Sequence, residues 1–274
     1  MQENTEGITS EAKFTQRFDR AFLPLLGLPL ILFILLPLAA LLMKVPYQDI
    51  FKSIQDQQVR QAIQLSLVTS LISVLVTILF GTPVAYLLAR SRRRTVTLID
   101  TIIDLPTILP PAVAGVALLI AFGRRGMFGA WLADIGITLP FTQAAVIMAQ
   151  TFVASPFYVK AAAIGFSGIR TELLEASALD GASRWQTFWH VTIPLARRSI
   201  LSGAVMTWAR ALGEFGATII FAGNFPGRTQ TMPLAIYVGF EIDLSTALLL
   251  SFILICFSFL TLIAVKFVLH RNRD

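Results

Sequence analysis

The chain has 274 residues, of which 55% are hydrophobic and 14% charged, with a mean hydropathy of +0.73. That leaves too little polar surface for a soluble domain of this length, and the long unbroken apolar runs exclude the short alternating segments of a β-barrel. The net charge of +6 comes without the interleaved basic and aromatic residues that would point to nucleic acid; basic loops holding cytoplasmic ends in place account for it.

The first twenty residues are polar and mixed in charge, and are expected in the cytoplasm. The apolar run from Ala21 to Met43 follows, long enough to span a bilayer. It starts too late and runs too long for a signal peptide, so it is read as an uncleaved first span. A second span covers Ala62 to Ala89, with a kink expected at Pro83. The basic stretch "RSRRRTVTLID" is a topology anchor facing anionic lipid. A third span, Leu105 to Phe122, opens on "DLPTILPPAVAGVALL", with Asp104 read as its helix cap. The fourth, Ala144 to Ile164, is expected to break at Ser155-Pro156. A long inner loop follows, about 165–199. The fifth span is Ile200 to Gly223 and the sixth Ser245 to Phe267, with 269–274 as a cytoplasmic tail. The six spans form one permease domain over 21–268, an all-α integral membrane fold.

With both termini inside, fifteen basic side chains fall on the cytoplasmic side and six outside. That is the bias of the positive-inside rule. Arg124 and Arg125 run against it, on an outer turn. Cys256 is the only cysteine and His190 and His270 the only histidines, so neither an internal disulfide nor a cysteine-based metal site can form.

The long inner loop contains "TELLEASALDGASRWQTFWHVTIP". Leu173, Leu174 and Ala178 share a helical face. Asp180-Gly181 is a turn signal, and Trp185, Phe188 and Trp189 make a second apolar patch. Ile193-Pro194 is expected to end the piece, because Pro disfavours α geometry at the residue before it. The result is a stiff knob with Leu179, Asp180, Gly181 and Ala182 near its tip; an amphipathic helix resting on the bilayer is the plainer alternative.

These residues resemble the cytoplasmic signature of ABC-importer permeases: Glu-Ala-Ala, three residues, Gly, nine residues, Ile, one residue, Leu-Pro. Here Glu175-Ala176-Ser177, Gly181, Val191 and Ile193-Pro194 keep that spacing, departing at Ser177, Val191 and Ile193. The resemblance extends over essentially the whole chain. It implies the six-helix type I importer fold, with the knob as a coupling helix that docks on a separate ATPase subunit. Glu175, Ala176, Ser177 and Gly181 would be the signature, with Leu179, Asp180 and Ala182 at the contact and Ile193-Pro194 closing it. It also implies a homodimer in a bacterial inner membrane, two ATPase subunits holding ATP and Mg, an extracytoplasmic oxyanion-binding protein, and no cofactor in this chain. "RALGEFGAT", "FAGN" and "TMPLAIY" look like the molybdate branch, with tungstate as a second cargo of that branch, while sulfate or thiosulfate permeases share a related "R-A-x-G-E-x-G" stretch.

Arg210 and Glu214 lie inside the fifth span at i, i+4 spacing. Charges there face a partner or a cavity, so they read either as a structural ion pair or as part of an anion path or gate. Outside, "GNFPGRTQTMP" is a turn-rich loop in which Asn224, Thr229 and Thr231 could donate to an oxyanion. No G-x-x-x-x-G-K-[ST] loop is present, so the chain is not itself the ATPase. No H-E-x-x-H or comparable cluster supports an intramembrane protease. A stand-alone secondary transporter or channel would leave the spaced Glu175-to-Pro194 motif unexplained.

Overall fold

A computed structural model describes residues 26–49, 54–91 and 93–270, and every regular element among them is helical. The polar segment 1–20, the start of the first span at Ala21 and the last four residues lie outside the described residues. The chain divides at Pro46 into two compact units. The first contains helix α1, Leu26–Lys44, which is long and apolar enough to cross a membrane.

In the second unit, α2 (Gln57–Arg90) starts at Asp56, whose carboxylate accepts from the N–H groups of Gln58 and Val59. One face of α2 is a buried line of small residues, Ser66, Ser70, Ser73, Thr77, Gly81 and Ala85. Small residues let membrane helices approach closely, and their hydroxyls bond across the interface. Here Ser70 accepts from the Trp208 indole N–H at 2.9 Å, and Ser66 from the Met232 N–H at 2.7 Å. Ser73 donates to the Ile147 carbonyl at 3.1 Å. α2 runs through Pro83 as one continuous helix.

The third expected span is two helices. α3 (Arg94–Ile108) and α4 (Pro111–Phe122) meet at a 116° bend. Pro110 and Pro111 force it, since the residue before a proline is pushed out of the α region; Leu109 and Pro110 have ψ of 135° and 134°. Asp104 is not a cap. It lies within α3, 2.8 Å from the Lys160 ammonium. After the short α5 (Gly129–Asp134), α6 (Gln143–Ser167) is continuous through Pro156. The expected break is absent: Pro156 is buried among packed helices, where a freed backbone group is tolerated.

Two short helices, α7 (Thr171–Leu179) and α8 (Arg184–Thr187), precede a π turn at Phe188–Thr192. α9 (Ile193–Leu212) then begins seven residues earlier than the expected fifth span. It stops at Gly213, and a separate α10 (Gly216–Phe221) completes the descent. Arg197, Arg198 and Arg210 make α9 too polar to count among the long apolar helices: among the described residues there are four of those, or five with the bent α3–α4 pair as one span. α11 (Met232–Ile242) and α12 (Leu244–His270) close the bundle.

α6 is the centre. Its C-terminal half packs with α2 and α9 around Tyr158, Phe166, Ala162 and Ala196. Its N-terminal half packs with α4 and α10 around Val146, Ala149, Val153 and Phe221. The α6–α9 contact is backbone-close: a Cβ on Gly203 would lie 2.8 Å from the Ala161 Cβ, and one on Gly165 would lie 2.4 Å from the Ser199 Cβ. Asp243, between α11 and α12, opens α12. Its carboxylate accepts from the Ser245 hydroxyl and N–H and from the Thr246 hydroxyl, which hold it below the usual carboxylate range.

Gly203→Leu is expected to overpack this contact and cost about 1–3 kcal/mol. The purified permease should then melt at a lower temperature, and an unchanged melt would mean that close approach does not hold α6 to α9. Because its folded pKa is lowered, Asp243 stabilises the α12 start above its unfolded pKa. That contribution fades as pH falls through the lower, folded value. Hydrogen exchange at Ser245 and Thr246 should therefore quicken below about pH 4, near the unfolded value, and Asp243→Asn should abolish the pH step.

Candidate functional site

The knob is built from its turn outward. α7 ends at Leu179, and Gly181 takes φ of +83°. The Asp180 N–H donates to the Ala176 carbonyl at 3.0 Å and the Ala182 N–H to that of Ser177 at 3.0 Å. A Cβ on Gly181 would meet nothing within 4 Å, so backbone conformation alone calls for glycine there. Ser183 and Gln186 form a reciprocal capping box that starts α8. The Ser177 and Thr187 hydroxyls, 3.0 Å apart, pin α7 to α8.

An aromatic cluster fixes the knob to the bundle. Phe188 meets Tyr86 of α2 at 5.3 Å between ring centres, edge to face, and Tyr86 meets Phe166 of α6 at 5.6 Å. Edge-to-face pairs of this kind contribute about 0.5–1.5 kcal/mol each beyond area burial. Trp185 and Trp189 pack on Phe188 yet remain exposed, and Leu179 at the tip is 88% exposed. Glu175 and Ala176 are exposed beside it, while Ser177 and Ala182 are half-buried. Ile193-Pro194 does not end the piece. Pro194 sits in the first turn of α9, directly after the π turn in which the Ile193 N–H reaches back to the Phe188 carbonyl, and the chain passes from α8 into α9 without a loop. The knob is thus rigidly continuous with α9, and Gly168–Arg170 alone separate it from α6.

In the membrane, the structure brings Arg210 and Glu214 together at 2.7 Å. The Glu214 side chain is 1% exposed and that of Arg210 30%. The other carboxylate oxygen of Glu214 accepts from the Ala217 N–H at 2.9 Å. One buried carboxylate thus joins the end of α9 to the start of α10 across the break. α10 in turn lies tightly on α4: a Cβ on Gly115 would be 2.8 Å from the Ala217 carbonyl oxygen, and one on Gly216 the same distance from Pro111 Cβ. Asn224 and Thr229 belong to the outer loop. Thr229 is buried and closes the loop on itself, its hydroxyl accepting from the Phe225 N–H at 3.0 Å. The Asn224 carbonyl oxygen is buried without a hydrogen bond. Thr231 is likewise buried, and its hydroxyl has no hydrogen-bond partner.

Sequence reasoning missed three residues that matter here. Tyr86 looked like an ordinary span residue and Phe166 like part of the long inner loop, and only the fold brings them to Phe188. Lys160 looked like one more inner positive charge, whereas it bridges Asp100 and Asp104. Its position five residues before the expected start of a long loop was no signal of partners about sixty residues away.

A bundle of long apolar helices with a rigid projection between two of its closest-packed helices defines a membrane-embedded transport subunit. Comparison with known proteins gives the lineage. The family of binding-protein-dependent transport system inner membrane components matches residues 81–274, and the chain belongs to that family. The molybdenum transport system permease protein ModB of Mycobacterium tuberculosis is 40% identical over 237 residues, covering 86% of this chain and 89% of that one. A probable transport system permease protein, NifC of Clostridium pasteurianum, is 37% identical over 271 residues, 96% of this chain and 95% of the relative. Among solved structures, a chain of a bacterial alginate ABC transporter in complex with its alginate-bound periplasmic protein superposes with a TM-score of 0.74, at 18% identity, over 95% of this chain and 96% of that one. The fold is therefore that of an ABC-transporter permease.

Glu214→Ala would strand the Arg210 guanidinium and uncap α10. Breaking a buried pair costs about 3–5 kcal/mol, so the yield of folded, monodisperse permease should fall sharply, with Glu214→Gln intermediate. Parental yield and melting for Glu214→Ala would show that the span break does not need the carboxylate.

Proposed function

We propose that this chain is the membrane-spanning subunit of an ATP-driven importer for molybdate, working as a homodimer with both termini in the cytoplasm. Two ATPase subunits bind ATP and Mg below it, and an oxyanion-binding protein delivers cargo from outside. The observation that carries the transport reading is the knob itself. A stiff projection with an apolar tip, joined without a loop to α9, can pass on rigid-body motion that a floppy loop would absorb. Glu175, Ala176, Ser177, Leu179, Asp180, Gly181 and Ala182 present this surface to the ATPase, and Ile193-Pro194 leads the motion into α9.

Molybdate as cargo rests on relatives whose names specify molybdenum transport and which match most of this chain. Sulfate is the second reading, since a sulfate permease of Synechococcus elongatus is also a relative. Arg210 is proposed to turn the open part of its guanidinium toward the anion path while Glu214 anchors it. Asn224 and Thr229 stand at the outer mouth, where the unbonded Asn224 oxygen marks a group that another chain or a water must satisfy.

Two measurements test this. In proteoliposomes holding the complete transporter, molybdate uptake should depend on ATP and outcompete a hundredfold excess of sulfate; the reverse preference would move the cargo to sulfate. Gly181→Trp puts a bulky side chain at φ of +83°, a conformation costing non-glycine residues about 1–2 kcal/mol, and it alters the docking tip. Uptake should fall at least tenfold while membrane insertion stays normal. Normal uptake would remove the knob from the coupling path.

A further inference from the structure

The knob hangs from α6 and α9, and the elbow formed by α3 and α4 lies outside that continuous run of helix. Two polar links tie that elbow to the lever pair. One is Glu214, which joins α9 to α10, and α10 rides on α4. The other is a triad. The Lys160 ammonium lies 2.5 Å from an Asp100 oxygen and 2.8 Å from an Asp104 oxygen. Asp100 and Asp104 are one helical turn apart, so both carboxylates leave the same face of α3. Lys160 is seven residues before the end of α6, about 10 Å along its axis.

α3 has little else to hold it. Val96 is its buried residue and Ile103 is partly buried against the core around Tyr158, while Leu98, Ile102, Leu105 and Ile108 are exposed. One cation shared by two carboxylates fixes the rotation of α3 about its axis as well as its distance from α6. The three side chains are 34%, 44% and 39% exposed. Pairs this open contribute little to stability. Their consequence is where α3 sits, not whether the bundle folds.

We propose that Lys160 is a positioning residue that carries movement of the knob and α6 to the α3–α4 elbow through Asp100 and Asp104. The proposal rests on the importer reading above. When the lever pair moves, the triad drags the inner arm of the elbow with it. The 116° bend at Leu109-Pro110 then turns that movement onto α4 and, through Gly115, onto the span break at Gly216.

The test uses the complete transporter in proteoliposomes, measuring anion imported per ATP hydrolysed. Lys160→Asp places three carboxylates together and should lower that ratio about fivefold or more, the usual floor of an allosteric coupling, with ATP hydrolysis retained. Lys160→Asp combined with Asp104→Lys rebuilds one cation between two acids and should restore the ratio. A merely structural charge would not give this rescue of stoichiometry. If Lys160→Asp fails to assemble, Asp100→Asn with Asp104→Asn supplies the same readout from exposed positions. A wild-type ratio in either disrupted variant would overturn the proposal, as would a swapped pair that assembles but stays uncoupled. A wild-type complex lacking ATP-dependent uptake would instead overturn the importer reading itself.

Discussion

Everything in this molecule that can move as a unit depends on the contact between α6 and α9. Gly165 and Gly203 leave no room for a Cβ against Ser199 and Ala161, so the two helices meet backbone to backbone. In a bilayer there is no hydrophobic gain from pairing two greasy helices, and close packing of small residues takes its place. The knob lies between the end of one helix and the start of the other. A push on it reaches both at once, because neither is separated from it by more than a few residues.

From that lever the polar groups inside the membrane acquire a common logic. Glu214 is too deeply buried to stay unpaired, and it has two partners, Arg210 on one helix and the Ala217 N–H on the next. Lys160 does the same between α6 and α3. Each is a place where a helix ends, bends or is thinly packed, and where apolar contact alone would leave the relative position loose. The small-residue face of α2 supplies the fixed wall, its serines bonded to α6, α9 and the start of α11.

Much of the architecture was legible in the sequence because a bilayer imposes length and apolarity on whatever crosses it. The spans at α2, α6 and α12 fell close to expectation, and so did the knob with its turn at Gly181. Two failures share a cause: prolines were read as punctuation. Pro156 lies inside a continuous helix, and Pro194 lies in the first turn of one rather than ending the piece. Local propensity yields to packing when neighbouring helices surround the residue. Leu109-Pro110-Pro111 did bend the chain, and it made an elbow where one straight span was expected. The triad was illegible for a different reason. Asp100 and Lys160 are sixty residues apart, and only the packing of α3 on α6 joins them.

The most direct test of the account is whether the tip of the knob touches the ATPase during transport. Leu179 stands 88% exposed at the tip, and Cys256 is the chain's only cysteine. In a Cys256→Ser background, Leu179→Cys paired with single cysteines along the ATPase surface should form a disulfide that halts uptake and is reversed by reductant. A Cys at 179 that stays freely alkylated throughout turnover in a fully active transporter would contradict the account.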